Sequence, residues 1–286
     1  MRVSLVASIF NRTRLLRRGL FTLARQTMSK KDYEIIIVQD SRSTEDIHAE
    51  LVPYIKTLQM QWAIIDNTRF KGGFDIKVHT PALSNNVGFR LAKGEVIVIS
   101  QPEIMHAKDN LTELYQTALT PRIVFGGIHH SSYRFVDDMS HDPSWMGQTY
   151  DQWIERPGAH DRDTHDILNG HYWFVAGFPK YFVELIGGID EEYLRGVYAE
   201  DDNFRDRMEL AGCKKTINWN IKGIHQNHDN ENHYHAQRQE SHWEEWANIN
   251  RARYAEFKCH PDMVANKEHT WGDLDTVIEH RVYGID

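Results

Sequence analysis

The run Glu34-Ile35-Ile36-Ile37-Val38 constrains this chain more than any other segment, because it is almost entirely β-branched and has no polar break after Glu34. Continuous rather than alternating apolar residues mark a strand covered on both faces, and such strands belong to parallel sheets enclosed by helices. The segments around it repeat the theme. Residues 3–9 form a short apolar run, and Leu16, Leu20 and Leu23 follow at helical spacing in a helix predicted to end near residue 26. Gln61-Trp62-Ala63-Ile64-Ile65 and residues 95–100, EVIVIS, read as further strands. Helices are predicted over 44–58 and, closed by Gly94, over 85–94. Strands alternating with helices predict a three-layer, mainly parallel α/β sheet, in which ligands bind beyond the carboxyl ends of the strands. Asp40 and the turn Ser100-Gln101-Pro102-Glu103 fall on that rim.

The second half is less regular. Residues 126–170, rich in Gly, His, Ser, Asp and Pro with weak periodicity, read as a long functional loop region. Gly170-His171-Tyr172-Trp173-Phe174 offers aromatic faces either to the core or to a sugar or base. Residues 180–185 read as helical, Gly187-Gly188-Ile189-Asp190 as a turn, and 201–211 as a helix ended by Gly212. A polar helix over 236–257 is predicted to pack back on the body.

Composition narrows the function classes. With 286 residues and 41% hydrophobic content a sizeable core is expected, and no stretch approaches a membrane span. Cys213 and Cys259 are the only cysteines, so a disulfide framework is excluded and a reducing, cytoplasmic setting is expected, as is the lack of a signal peptide. A formal charge of −8 argues weakly against a phosphate-backbone binder, yet Met1 to Lys31 holds no acidic residue and carries Arg2, Arg12, Arg14, Arg17, Arg18 and Arg25. These read either as a solvated helix face or, for a few, as partners of a phosphate-bearing ligand.

Three clusters carry chemistry. Glu103 ends a strand where it could hold a metal beside a diphosphate, cap the following helix or pair with a lysine. His225 and His228 are three apart, a chelating spacing within a histidine-rich stretch that also contains His233, His235 and His242. A His/His/Glu set leaves open positions for ligand oxygens, as metal-assisted transfer needs. Glu200-Asp201-Asp202 opens a helix, where the dipole favours carboxylates, but three exceed what capping requires, and one could act as general base.

The order of these clusters resembles the nucleotide-sugar-dependent glycosyltransferases of the GT-A fold, the family-2-like enzymes in particular, with a galactosyltransferase-like C-terminal region. Ser8-Ile9-Phe10-Asn11-Arg12 is similar to the first strand and its loop, and Val38-Gln39-Asp40-Ser41-Arg42-Ser43 to the V-D-D-x-S segment. Asn86-Val87-Gly88 through Ala92-Lys93-Gly94-Glu95 resembles N-x-G…A-x-G-E, and Gly187-Gly188-Ile189-Asp190-Glu191 with Glu200-Asp201-Asp202 resembles G-G-F-D-E…E-D-D. The family's D-x-D reads Gln101-Pro102-Glu103 here, which keeps its last acidic position, and the V-D-D segment lacks its first aspartate.

The resemblance covers about residues 3–230. It implies a Rossmann-like GT-A domain over 1–235, with a nucleotide-sugar half at 1–105 and an acceptor and metal half at 106–235, followed by a C-terminal helical extension at 236–286. It implies transfer of a sugar from a nucleotide-sugar donor, UDP-linked by expectation, to an acceptor hydroxyl, with Mn²⁺ or Mg²⁺ on the diphosphate. Phe10, Arg12, Asp40, Asn86 and Arg90 are then donor-binding, Glu103, His225 and His228 metal ligands, Asp201 the base with Glu200 orienting the acceptor, and Tyr172, Trp173 and Asp202 acceptor-binding. An inverting, single-displacement outcome follows from a visible base without a separate nucleophile. The acceptor is expected to be a glycan or another hydroxyl-bearing molecule; a hydroxylated nucleobase in modified DNA, and a non-catalytic sugar- or nucleic-acid-binding module, stand as alternatives.

Overall fold

In the computed structural model of this chain, which describes residues 1–70, 81–159, 173–193, 198–228 and 243–284, the apolar runs become strands buried along their length. In chain order the first part contributes β1 (Val3–Ile9), α1 (Thr13–Leu23), β2 (Tyr33–Asp40), α2 (His48–Leu51), β3 (Gln59–Ile65), α3 (Pro81–Leu91), β4 (Val96–Ser100) and β5 (Ile104–His106). The remainder contributes α4 (Asn110–Ala118), β6 (Arg122–His130), α5 (Tyr133–His141), α6 (Tyr150–Ile154), β7 (Val175–Pro179), α7 (Lys180–Ile186), α8 (Glu200–Leu210), β8 (Lys214–His225), α9 (Trp243–Cys259) and β9 (Val277–Tyr283).

Among the described residues these strands form one nine-stranded sheet in the order β5-β8-β6-β7-β4-β1-β2-β3-β9. Its centre is parallel, with β1 between β2 and β4 and β3 beyond β2. The flanks are mixed: β7 runs antiparallel to β4 and β6, β8 parallel to β6, and β5 antiparallel to β8. Side chains alternate between two buried faces, as period-two geometry requires. Leu5, Ile35 and Ile37 join Leu16, Leu20 and Leu23 of α1 on one side, while Val6, Ile36 and Val38 join Val87 and Phe89 of α3 on the other. The three-layer α/β expectation therefore holds, for the reason read from the isoleucine run.

Three expectations are corrected. The helix over 44–58 shrinks to α2, because Pro53 lacks an N–H and its ring clashes with a helical carbonyl; turns carry the chain on to Leu58. The loop region 126–170 is instead structured over 126–159, by the end of β6, α5 and α6, while residues 160–170 lie outside the described residues. There Phe135, Val136, Met139, Trp145 and Trp153 bury a third cluster against Leu15, Met105 and Ile224. Its helices are short, so their periodicity is faint in the sequence. The tail holds the expected helix, α9, but then returns to the sheet: β9 pairs antiparallel with β3, from Met60 opposite Tyr283 to Ile65 opposite Val277. Residues 236–242 of the predicted helix lie outside the described residues. No described helix is long and apolar enough to cross a membrane.

Arg18 departs from the solvated-face reading of the basic N-terminal stretch. It is buried, donating to Gln226 Oε1 at 2.8 Å and Ser140 Oγ at 2.6 Å, and burial together with Arg14 and Arg17 lowers its guanidinium to about 10.

Gly88 shows why the N-x-G segment needs its glycine. A Cβ there would lie 2.3 Å from Val6 Cγ1, so α3 can rest against β1 only without a side chain at this position. Gly88→Ala should cost about 1–3 kcal/mol by overpacking; urea denaturation checks this, and an unchanged midpoint would show that the layer yields more than a close-packed interior should.

Candidate active site

The site begins with a backbone ladder. In the β5–β8 pairing Ile104 lies opposite His225, so Glu103, one residue before β5, meets the end of β8. Gln226 fixes this join: its backbone N–H and side-chain amide both donate to the Glu103 carbonyl, at 3.2 and 2.8 Å, and its Oε1 accepts from Arg18. Ser131 holds the other side, donating from N and Oγ to the His225 carbonyl at 3.0 and 3.1 Å. The His225 ring lies 4.8 Å from both Phe174 and His130 and 5.3 Å from His228, centroid to centroid.

Glu103 is 1% exposed. One of its oxygens, Oε1, receives Arg12 Nη1 at 2.9 Å and faces His228 Nε2 at 3.0 Å and His225 Nε2 at 3.5 Å. Burial alone would raise this carboxyl, but the hydrogen bonds from His225 and His228 and the Arg12 charge outweigh it and hold it well below the usual carboxylate range. Glu103 Oε2, His225 Nδ1 and His228 Nδ1 are buried without a hydrogen-bond partner, which native interiors seldom leave so. One ligand atom from each of the three residues lies within 4.8 Å of the others. A hard carboxylate with two imidazoles is a donor set for a divalent first-row ion, and the unpartnered atoms fit that use.

The carboxylate helix stands across β7 from this cluster. Trp173 and Phe174 lead into β7, and Phe174 accepts the Gln101 N–H at 3.0 Å. Phe174 reaches His225, whereas Trp173 lies 5.4 Å from Phe204 of α8 and 5.2 Å from Phe125. Two consecutive residues thus connect the Glu103 cluster to the helix that carries Glu200, Asp201 and Asp202. Burial raises the carboxyls of Glu200 and Asp201, helped by the charge of Asp201 on the first and of Asp202 on the second. Asp202 instead pairs with Arg205 at 2.6 Å.

Backbone strain marks both approaches. Asn11 and Arg12 have φ of 58° and 66°, and Tyr198 and Ala199 have 75° and 70°, left-handed values that cost non-glycine residues energy and persist where surroundings impose them. The first pair precedes α1 and the second precedes α8. Asn11 is held from outside, its Oδ1 accepting from Ser43 Oγ at 3.0 Å and Thr44 N at 2.9 Å, which ties the loops after β1 and β2 together.

The remaining predicted residues divide. Phe10 is partly exposed at the rim. Asp40 is buried there at the end of β2, its carboxylate accepting from Arg42 Nε at 2.9 Å and Asn67 Nδ2 at 2.9 Å. Asn86 is a correction: its amide is used inside the fold, donating to the Ile189 carbonyl and Glu191 Oε1 at 2.8 Å and accepting from Ile189 N at 2.8 Å. Arg90 is another. It stands at the far end of α3, beside Leu91 and Lys93, whose backbones bond Gln61, Ser4 and Glu34 at the amino ends of the strands, and it faces the Trp271 ring at 5.3 Å. Helices of this kind run antiparallel to the strands, so a residue late in α3 is remote from the rim. Trp173 is a third correction, 8% exposed among aromatic rings rather than offered to an acceptor. Tyr172, His233, His235 and His242 lie outside the described residues.

The sequence reading missed Gln226, Ser131, His130 and the tail residues that brace the site. The Gly187-Gly188-Ile189-Asp190-Glu191 turn is a hub: Asp190 pairs with Arg207 of α8 at 2.9 Å, and Glu191 accepts from Gly272 N at 2.7 Å and meets His269 at 2.8 Å. From α9, Tyr254 and Lys258 reach Asp206 of α8 at 2.7 and 2.9 Å. A polar stripe facing a carboxylate is the only sequence signal for that clamp.

Raised carboxyls mean that the native chain binds protons at Glu200 and Asp201 more tightly than the unfolded chain, so stability falls as pH rises through their elevated range. Replacing them together, Glu200→Gln with Asp201→Asn, should raise the melting temperature by a few degrees at pH 8, with the gain shrinking toward pH 4. A gain independent of pH in calorimetric scans would refute the assignment.

Comparison with known proteins bears on the family and the fold. The family model described as glycosyl transferase family 2 matches residues 4–175. A poly(ribitol-phosphate) beta-glucosyltransferase from Bacillus spizizenii (strain ATCC 23059 / NRRL B-14472 / W23) is 34% identical over 98 residues, which are 34% of this chain and 14% of that protein. The match thus spans about a seventh of the length of that relative. Among solved structures, S. aureus TarS 1-349 in complex with UDP superposes with a TM-score of 0.56 at 14% identity, over 92% of this chain and 76% of that one. The mannosyltransferase PcManGT from Pyrobaculum calidifontis, in complex with GDP-Man and Mn2+, gives 0.54 at 16% identity, over 88% and 64%. These likenesses show the shared fold, and the family match covers more than half of the chain: it belongs to glycosyl transferase family 2.

Proposed function

We propose that this glycosyltransferase moves a sugar from a UDP-sugar to an acceptor hydroxyl by a single, inverting displacement, with Asp201 as general base. The observation that carries this reading is the pair Trp173-Phe174, in which Phe174 packs on His225 of the Glu103 cluster and Trp173 on Phe204 of α8, the helix that opens with the raised carboxylates. Support for the donor comes from the related structures, solved with UDP, UDP-GlcNAc and GDP-Man. Residues 1–105 supply the nucleotide rim, with Phe10, Arg12 and Asp40 facing the donor, and 106–235 supply the rest of the metal and acceptor side. Within the C-terminal extension, Tyr254 and Lys258 of α9 brace α8 through Asp206, and β9 pairs with β3 of the nucleotide half.

In this reading Glu103, His225 and His228 hold a divalent ion, Mn²⁺ or Mg²⁺, which when bound neutralises charge on the leaving diphosphate. Arg12 adds its own charge at the same end. Asp201 takes the proton of the acceptor O–H as that oxygen bonds to the anomeric carbon, and the bond from that carbon to the diphosphate oxygen breaks with its electron pair leaving on the diphosphate. A carboxyl raised toward neutrality is a better base for this step than an ordinary aspartate, provided that the pH is high enough to ionise it. Glu200 orients the acceptor, and Asp202, paired with Arg205, borders it. The acceptor is a glycan or another hydroxyl-bearing molecule. Two free cysteines, Cys213 buried and Cys259 exposed, suit a reducing cytoplasm.

Thermal shift with a panel of nucleotides and nucleotide-sugars, with Mn²⁺ or EDTA, should show metal-dependent stabilisation by uridine nucleotides. Glu103→Ala and His228→Ala should each remove the metal dependence; retention by both would overturn the ligand assignment. Asp201→Asn should lower kcat by about 100-fold or more while donor affinity stays within about twofold, and the product anomer, read by NMR, should be inverted relative to the donor.

A further inference from the structure

We propose that Arg12 is an internal counter-cation that occupies the Glu103 oxygen until a nucleoside diphosphate draws it away, so that metal and donor nucleotide bind cooperatively. The inference rests on Glu103, His225 and His228 being the metal ligands. Arg12 Nη1 sits 2.9 Å from Glu103 Oε1, the same oxygen that faces both histidine Nε2 atoms. A guanidinium keeps its charge at every working pH, and a divalent ion bound at Glu103 through either oxygen would stand within a few ångströms of it, where repulsion between like charges is strong. An ion held through the unpartnered Glu103 Oε2 and the two imidazoles would therefore bind against the charge of Arg12.

The side chain has a way out, while its backbone does not move. Arg12 is 28% exposed at the side chain against 1% for Glu103, so it reaches inward from the rim rather than being sealed in. Its φ of 66° follows Asn11 at 58°, and Asn11 is tied to Ser43 and Thr44. The rotation therefore belongs to the side chain. Arg12 lies just past the carboxyl end of β1, the side on which parallel sheets place anionic ligands, and the neighbouring carboxylate there, Glu45, already accepts from Thr13 N and Oγ1 at 2.7 Å. A diphosphate replaces Glu103 as its anion. Removing Arg12 frees the carboxylate for the ion, so metal alone binds weakly and the nucleotide strengthens it; by linkage the metal strengthens nucleotide binding by the same factor.

Mn²⁺ binding followed by electron paramagnetic resonance, without nucleotide and with saturating UDP or GDP, tests this apart from turnover. Arg12→Leu and Arg12→Gln should each bind Mn²⁺ alone about 10- to 100-fold more tightly than the wild type, the scale of losing one charge-assisted hydrogen bond. Their enhancement by nucleotide should shrink by a similar factor, and Arg12→Lys should stay near the wild type. Two folded variants with unchanged or weaker Mn²⁺ affinity, beside a wild type that binds Mn²⁺ with nucleotide, would overturn the role of Arg12 alone. A wild type that binds no Mn²⁺ even with nucleotide would overturn the ligand assignment and this proposal with it.

Discussion

A carboxylate buried as deeply as Glu103 is stable only among groups that neutralise it, and much of this architecture arranges those groups. Arg12 comes from the loop after β1, His225 and His228 from the end of β8, and the backbone that positions Glu103 is fixed by Gln226 and, behind it, Arg18. Two segments distant in sequence, 12–18 and 225–228, converge on one side chain. The antiparallel β5–β8 ladder makes the convergence accurate, because a one-residue slip in register would turn every side chain on that strand to the opposite face.

The carboxylate helix depends on a second set of constraints. Glu200 and Asp201 repel one another at the start of α8, following two left-handed residues, so something else must hold the helix in place. Arg207 paired with Asp190, and Asp206 paired with Lys258 and Tyr254, do so from the glycine-rich turn and from α9. Strain and repulsion at a site are sustained by well-satisfied contacts next to it. The tail outside the family match is therefore part of the support of the carboxylate helix, and β9 also closes the sheet beside β3.

Much of the fold is legible in the amino-acid sequence. The isoleucine run, EVIVIS and the leucine spacing of α1 identified buried strands and their covering helix, since period and β-branching are local properties. The histidine pair and Glu103 were legible as types suited to a metal, and the structure brings them together. Asn86, Arg90 and Trp173 were misplaced for a common reason: motif order says which segment a residue belongs to, but not which way along a helix, or to which side of a strand, it points. Asn86 serves the glycine-rich turn, Arg90 faces away from the rim, and Trp173 fills the core.

What the sequence by itself determined is the alternation of strand and helix, the three-layer core and the chemical identity of the clusters, because these follow from side-chain size, branching and periodicity. Only the tertiary structure decided that Arg12 lies on Glu103, that Gln226 and Arg18 stand behind it, and that the tail clamps α8. Those are long-range pairings between polar groups, set by strand register and chain crossings, and no local pattern of hydrophobicity encodes them.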